Sequence, residues 1–231
     1  VNGVRKQVGE LEGIHLKEYI KKQDNLNAKG VTVLMAEALA YHSPGSEGDF
    51  SDTAAELMIE LLNGGNLKVQ QSLFKFITTD DYKGAVFGHL RARLKGAEKG
   101  VRSRKNKVRL KYVPLDDHGQ ILFQDLQQSW RLLQLMCEGH NRDMQNLLRA
   151  QPHSQVSINM IQDGVDMLVL QVDGVGAIQR MCGYEMEATC ATMEFIIETL
   201  QGPCVTNQLF VVESQAIEAI KQIIPGPTSG R

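Results

Sequence analysis

No apolar run in this chain of 231 residues reaches about 18 residues, the length a membrane-crossing helix needs. No part of it is expected to span a bilayer. The opening residues, Val1-Asn-Gly-Val-Arg-Lys6, lack the pattern of a secretory leader, and together with the Pro225 to Arg231 ending they read as edges of something longer. Charge of one sign is missing too: 25 Lys and Arg face 27 Asp and Glu, a formal net charge of −2. A nucleic-acid binder with a dominant positive field is therefore not expected. Cysteine is sparse. Cys137, Cys182, Cys190 and Cys204 form no CxxC pair and fall short of a secreted disulfide scaffold, so reduced thiols in a cytosolic setting are expected.

Catalytic and cofactor signatures are incomplete. Ser154 and Ser157 flank His153, but no elbow or triad context surrounds them, and no enzyme activity is expected. Met167 to Gly176 resembles a strand leading to a dinucleotide turn, yet Gln179 stands at the third glycine position. Cys137 and His140 have zinc-like spacing without a second pair, and Cys137, ending an apolar stripe, reads as a core thiol.

What is present is helical periodicity. Val31, Leu34, Met35, Ala38 and Leu39 form one stripe; Leu57, Met58, Leu61 and Leu62 a second; Val69, Leu73, Phe76 and Ile77 a third. Thr53 with Glu56 predicts a capping-box start, Gly64-Gly65 a stop after Asn63, and Asn66 the cap of the next helix. Further on, the stripes are Leu122, Leu126, Trp130, Leu133, Cys137; then Ile158, Ile161, Val165, Leu168, Val172; then Met186, Cys190, Met193, Ile197, Leu200. A short helix at Asp143 to Arg149, a loop at Asp173 to Gly183 and a final helix capped by Ser214 complete the pattern. Such helices suit an all-α, armadillo or HEAT-like solenoid, and equally a globular bundle; no repeat of fixed period is visible. The segment of about 107 to 119 is the expected boundary between halves 1–112 and 113–231, unless the two form one continuous solenoid.

Between Arg91 and Lys111, ten of 21 residues are Lys or Arg, opposed in sequence only by Glu98. Such a run could meet an anionic lipid headgroup, a calmodulin-type partner or nucleic acid. No aromatic interleaves it before Tyr112, so a solvated, partly disordered helix extension is the favoured expectation.

Two runs carry more. Cys137-Glu-Gly-His-Asn141 with Gln145 and Leu148, and Gln201-Gly-Pro-Cys-Val-Thr-Asn-Gln208, resemble the signature stretches of the inositol trisphosphate receptor and ryanodine receptor family, the tetrameric calcium-release channels. The resemblance is strong over about 120 to 212 and weaker from Ala54 to Phe76, where Leu61 to Gln71 is similar to the same proteins. His140-Asn-Arg-Asp143 and the short spacing between the two runs favour the inositol trisphosphate receptor branch.

The resemblance implies a cytosolic regulatory domain at the endoplasmic reticulum membrane, in a homotetramer, working against other domains of the channel, including its C-terminal region. It also implies that Glu138 and Glu198 ligate an activating calcium ion, that His140 and Gln201 orient those carboxylates, and that a backbone carbonyl of the C-terminal region completes the shell. Chemistry permits this, since calcium takes six to eight oxygens and two bidentate carboxylates supply about four. Gly202-Pro203 would end the helix bearing Glu198, and the electronegative C-terminus of a helix favours a bound cation over a lone carboxylate. The rival expectation is an α-solenoid adaptor that binds protein without calcium.

Overall fold

The computed structural model describes residues 14–41, 50–81, 83–108, 113–174 and 176–224. Both chain ends, and Arg109 and Lys111 of the basic run, lie outside the described residues. Among those described there are eleven α-helices and no strands. They are α1 (Ile14–Ala28), α2 (Val31–Tyr41), α3 (Ser51–Leu62), α4 (Leu67–Thr79), α5 (Ala85–Val108), α6 (Asp117–Cys137), α7 (Arg142–Arg149), α8 (Met160–Val172), α9 (Gly183–Leu200), α10 (Val205–Glu213) and α11 (Ala216–Ile223), with a 3₁₀ turn at Ile178–Arg180. An α-solenoid is the architecture.

The helices group as three units of three: α3–α4–α5, α6–α7–α8 and α9–α10–α11, preceded by α1 and α2. Each unit's first helix ends in a turn with a left-handed glycine, Gly64, Gly139 or Gly202 (φ 79°, 80° and 70°), which lets the second helix fold back at once. Short polar caps start four of the helices by accepting backbone N–H groups otherwise left without partners. Asn66 takes Lys68 N and Val69 N at 3.1 and 3.2 Å, Asp116 takes Gly119 N at 2.8 Å, Asn141 takes Met144 N at 3.2 Å, and Asn159 takes Gln162 N at 3.0 Å.

One apolar cluster runs from Ala36 to Ala219. At its centre Trp130 of α6 stacks on Phe195 of α9, ring centroids 5.0 Å apart, and Ala188, Ala191 and Thr192 let the two helices approach closely. The stripes at Val69 to Ile77 and Ile158 to Val172 are buried as their spacing predicts.

Other expectations are corrected. α3 begins at Ser51, with Phe50 at the cap position, so Thr53 lies inside the first turn and makes no capping box. α11 begins at Ala216 after a Gln215 cap, although Ser214 Oγ does accept Ala216 N at 3.2 Å. Leu34 faces solvent, and Ala36 takes its place in the core. In α9 the predicted stripe is rotated: Cys190 and Ile197 are exposed, and the buried face is Glu185, Ala188, Thr189, Ala191, Thr192, Phe195, Ile196, Glu198 and Thr199. Small residues define that face because α6 brings the bulk.

The basic run differs most from expectation. Through Val108 it is continuous helix, α5, and its cations meet acids distant in sequence. Arg91 and Lys95 reach Asp163 at 3.0 and 3.4 Å, Arg93 pairs with Asp52, and Lys105 donates to the carbonyls of Leu170 and Asp173 at the end of α8. Arg104 pairs with Glu185 at 3.1 Å with both side chains buried. What looks in sequence like one unopposed positive field is largely a set of ties between units.

Candidate functional site

Glu138 is the C-cap of α6, and Glu198 lies in the last turn of α9. Each is fixed through its backbone by a buried glutamine from a neighbouring unit. Gln70 of α4 donates through Nε2 to the carbonyls of Leu135 and Glu138 at 3.0 and 2.8 Å, and its Oε1 accepts Asn141 Nδ2 at 2.9 Å. Gln145 of α7 donates to the carbonyls of Glu198 and Gln201 at 2.8 and 2.9 Å. Asn207 extends the second clasp, donating to the carbonyls of Gln145 and Thr199 at 3.0 and 3.1 Å while accepting Arg149 Nε at 2.9 Å. Gly65 closes on the turn, where an added Cβ would stand 3.5 Å from the Glu138 carbonyl oxygen.

The carboxylates themselves are poorly satisfied. Oε1 of Glu198 and Oε2 of Glu138 are buried and without a hydrogen bond, a costly state for an ionised group. Arg131 Nη1 stands 3.9 Å from Glu138 Oε2, too far to hydrogen-bond, and the same side chain donates to Asn63 Oδ1 and Gln134 Oε1. Burial, then the Glu138 charge, push the Glu198 carboxyl above its ordinary 4.5, while the backbone N–H groups of Gly139 and His140 and the His140 ring act in the opposite direction. Cys137, wholly buried beside them, has its thiol raised well above the ordinary range by burial and then by Glu198.

His140 is exposed, with φ of 63°, in the left-handed region that non-glycine residues rarely adopt, and it packs beside Gly202. Its reach toward Glu198 comes from backbone N–H and ring charge. Gln201 is the C-cap of α9, and its carbonyl is held by Gln145. Left-handed geometry costs an L-residue roughly 1–2 kcal/mol, partly offset by the greater unfolded-state freedom of glycine. His140→Gly is thus expected to raise stability by about 1 kcal/mol in urea unfolding. A loss instead would show that the ring makes stabilising contacts.

The structure thus brings Glu138, Glu198 and His140 to one place, where the turn after α6 meets the end of α9. Carboxylate oxygens without hydrogen bonds, on two glutamates close enough for one to raise the other, are what a hard cation would satisfy. Among the described residues no group of three or more His, Cys, Asp or Glu could hold a metal ion, so the glutamates are a pair of donors and not a closed shell. Sequence reading missed Gln70, Asn207 and the clasping role of Gln145. The signal was present as a motif, a C-cap followed by Gly and, seven residues after the cap, Gln, at 63–70, 138–145 and 201–208.

Residues 122–224 match the family model described as RyR and IP3R homology associated. This segment spans α6 to α11 and so contains both glutamates and the second and third turns. The match covers both receptor types and does not separate the two branches.

Proposed function

We propose that this chain, whose residues 122–224 match the RyR and IP3R homology associated model, is a regulatory solenoid of an intracellular calcium-release channel of the inositol trisphosphate receptor branch. It contributes Glu138 and Glu198 to an activating calcium site. The observation that carries the reading is the pair of buried carboxylate oxygens without a hydrogen bond, with the Glu138 charge acting against ionisation of Glu198. A calcium ion would relieve the repulsion and the desolvation together, and oxygens from another region of the channel would complete its shell. Bound between two bodies, the ion favours whichever channel arrangement brings them together, by its differential affinity for that arrangement. The role is mechanical and electrostatic, with no covalent chemistry.

The setting that goes with this reading is the cytosolic face of the endoplasmic reticulum, in a homotetramer. No helix among the described residues is long and apolar enough to cross a membrane. In the full-length channel, Glu138→Gln is expected to move the calcium activation curve to about tenfold higher calcium, because affinity follows the number of charged ligands. A curve that does not move, with normal expression and assembly, would leave the solenoid a scaffold without a calcium role.

A further inference from the structure

Three times along the solenoid, one buried glutamine amide ties a unit to the next by the same two bonds. Gln23 donates to the carbonyls of Glu60 and Asn63 at 2.8 and 2.9 Å. Gln70 does so to Leu135 and Glu138, and Gln145 to Glu198 and Gln201. In every case the acceptors are the C-cap of the following unit's first helix and the residue three before it. These are carbonyls that a helix end leaves without donors. The joint is therefore a specific one, an amide that reads the last turn of a helix.

The third unit repeats the donor. Gln201 is the C-cap, Gly202 is left-handed, and Gln208 stands where Gln70 and Gln145 stand in their units. Its amide, however, is not passed forward. It folds back onto its own turn, donating to the carbonyls of Leu200 and Gly202 at 2.9 and 3.0 Å, and it is only half-buried where Gln70 and Gln145 are fully buried.

The helix around it has changed character. Val205, Leu209 and Val212 of α10 share a face, at steps of four and three, and are 59%, 56% and 63% exposed. The equivalent positions in the two units that have a neighbour hold Arg142, Asn146 and Arg149 in α7 and Leu67, Gln71 and Phe74 in α4. All three positions are aliphatic and exposed only in α10, where the forward joint is unused, and the helical wheel sets Gln208 at the margin of that stripe.

We propose that this face receives a fourth unit of the same build, supplied by another segment of the channel's own polypeptide. The first helix of that unit would offer the carbonyls of its last turn to Gln208 and apolar side chains to Val205, Leu209 and Val212. This rests on the chain's place in a larger channel and not on calcium binding, so either reading can fail alone.

The test places a photoreactive benzoylphenylalanine at position 209 of the full-length channel and maps the crosslink by mass spectrometry. The expected product is an intrachain link, with the monomer's mobility unchanged on a denaturing gel, to the last turn of a helix that ends in glycine or asparagine. Gln208→Leu should lower its yield about tenfold, the factor that one lost specific contact gives. In the present chain alone, Gln208→Leu should shift the melting temperature by no more than about 2 °C, since no forward joint is lost. A link to a neighbouring subunit, to lipid or to a different protein would overturn the proposal, as would no link at all, or a Gln208→Leu yield equal to that of the parent.

Discussion

Glu198→Gln should leave the fold intact, flatten the pH dependence of stability and abolish stabilisation by calcium. The native state holds the proton of Glu198 more tightly than the unfolded chain, because burial and the Glu138 charge raise its carboxyl above 4.5. Below that value both states are protonated and there is no penalty. As pH rises through the raised native value, the metal-free protein must ionise a buried group beside a like charge, and stability falls. Glutamine removes that fall, so the melting temperature of the variant between about pH 4 and about pH 8 should vary less than the parent's.

Calcium should reverse the parent's loss at neutral pH. At a concentration about ten times a weak dissociation constant the gain is about 1.4 kcal/mol, or about 4 °C for a domain of this size, and Glu198→Gln should show none of it. Two results would sink the site: equal calcium stabilisation of parent and variant, or a variant whose pH profile overlays the parent's.

Gln70→Leu should be the most destabilising of the clasp substitutions. Leucine fills the space, so the cost is polar. The carbonyls of Leu135 and Glu138 lose their donor, and Asn141 Nδ2 loses its acceptor, all next to a buried turn. At about 1–3 kcal/mol for each stranded group, less what water recovers, the loss is about 4 kcal/mol, which lowers the melting temperature by about 12 °C. The second consequence is positional. With its carbonyl released, Glu138 drifts relative to Glu198, and the calcium response should weaken together with the fold. A melting temperature within about 2 °C of the parent's would mean that the clasp adds nothing to stability.

The helices were legible because burial here follows a 3.6-residue period wherever the core face is made of large side chains, as at Val69 to Ile77 and Ile158 to Val172. Periodicity misled in α9 for a physical reason. The helix packs through Ala188, Ala191 and Thr192, which carry little hydropathy, while Cys190 and Ile197 lie outside and carry more. The second and third glycine turns were recognised as family stretches, and Glu138, Glu198 and His140 came with them. The glutamine clasps were not recognised, because their partners are backbone carbonyls, which leave no mark on side-chain identity. The repeat stayed hidden because the motif recurs at unequal intervals, the loops between units differing in length. The basic run was misread for a similar reason: Asp52, Asp163, Asp173 and Glu185 neutralise it from afar, and only the fold brings them near.

Cys137, buried beside the two glutamates, also turns this region into a clock. A thiol that is fully buried, and whose deprotonation burial and two neighbouring carboxylates oppose, cannot react with an alkylating reagent in place. Cys190 is exposed to the reagent. Iodoacetamide should therefore consume Cys190 first, and the lag before Cys137 is modified measures how often α6 and α9 part. If calcium bridges the glutamates beside it, the metal should lengthen that lag, and so report its own arrival through a sulfur atom it never touches.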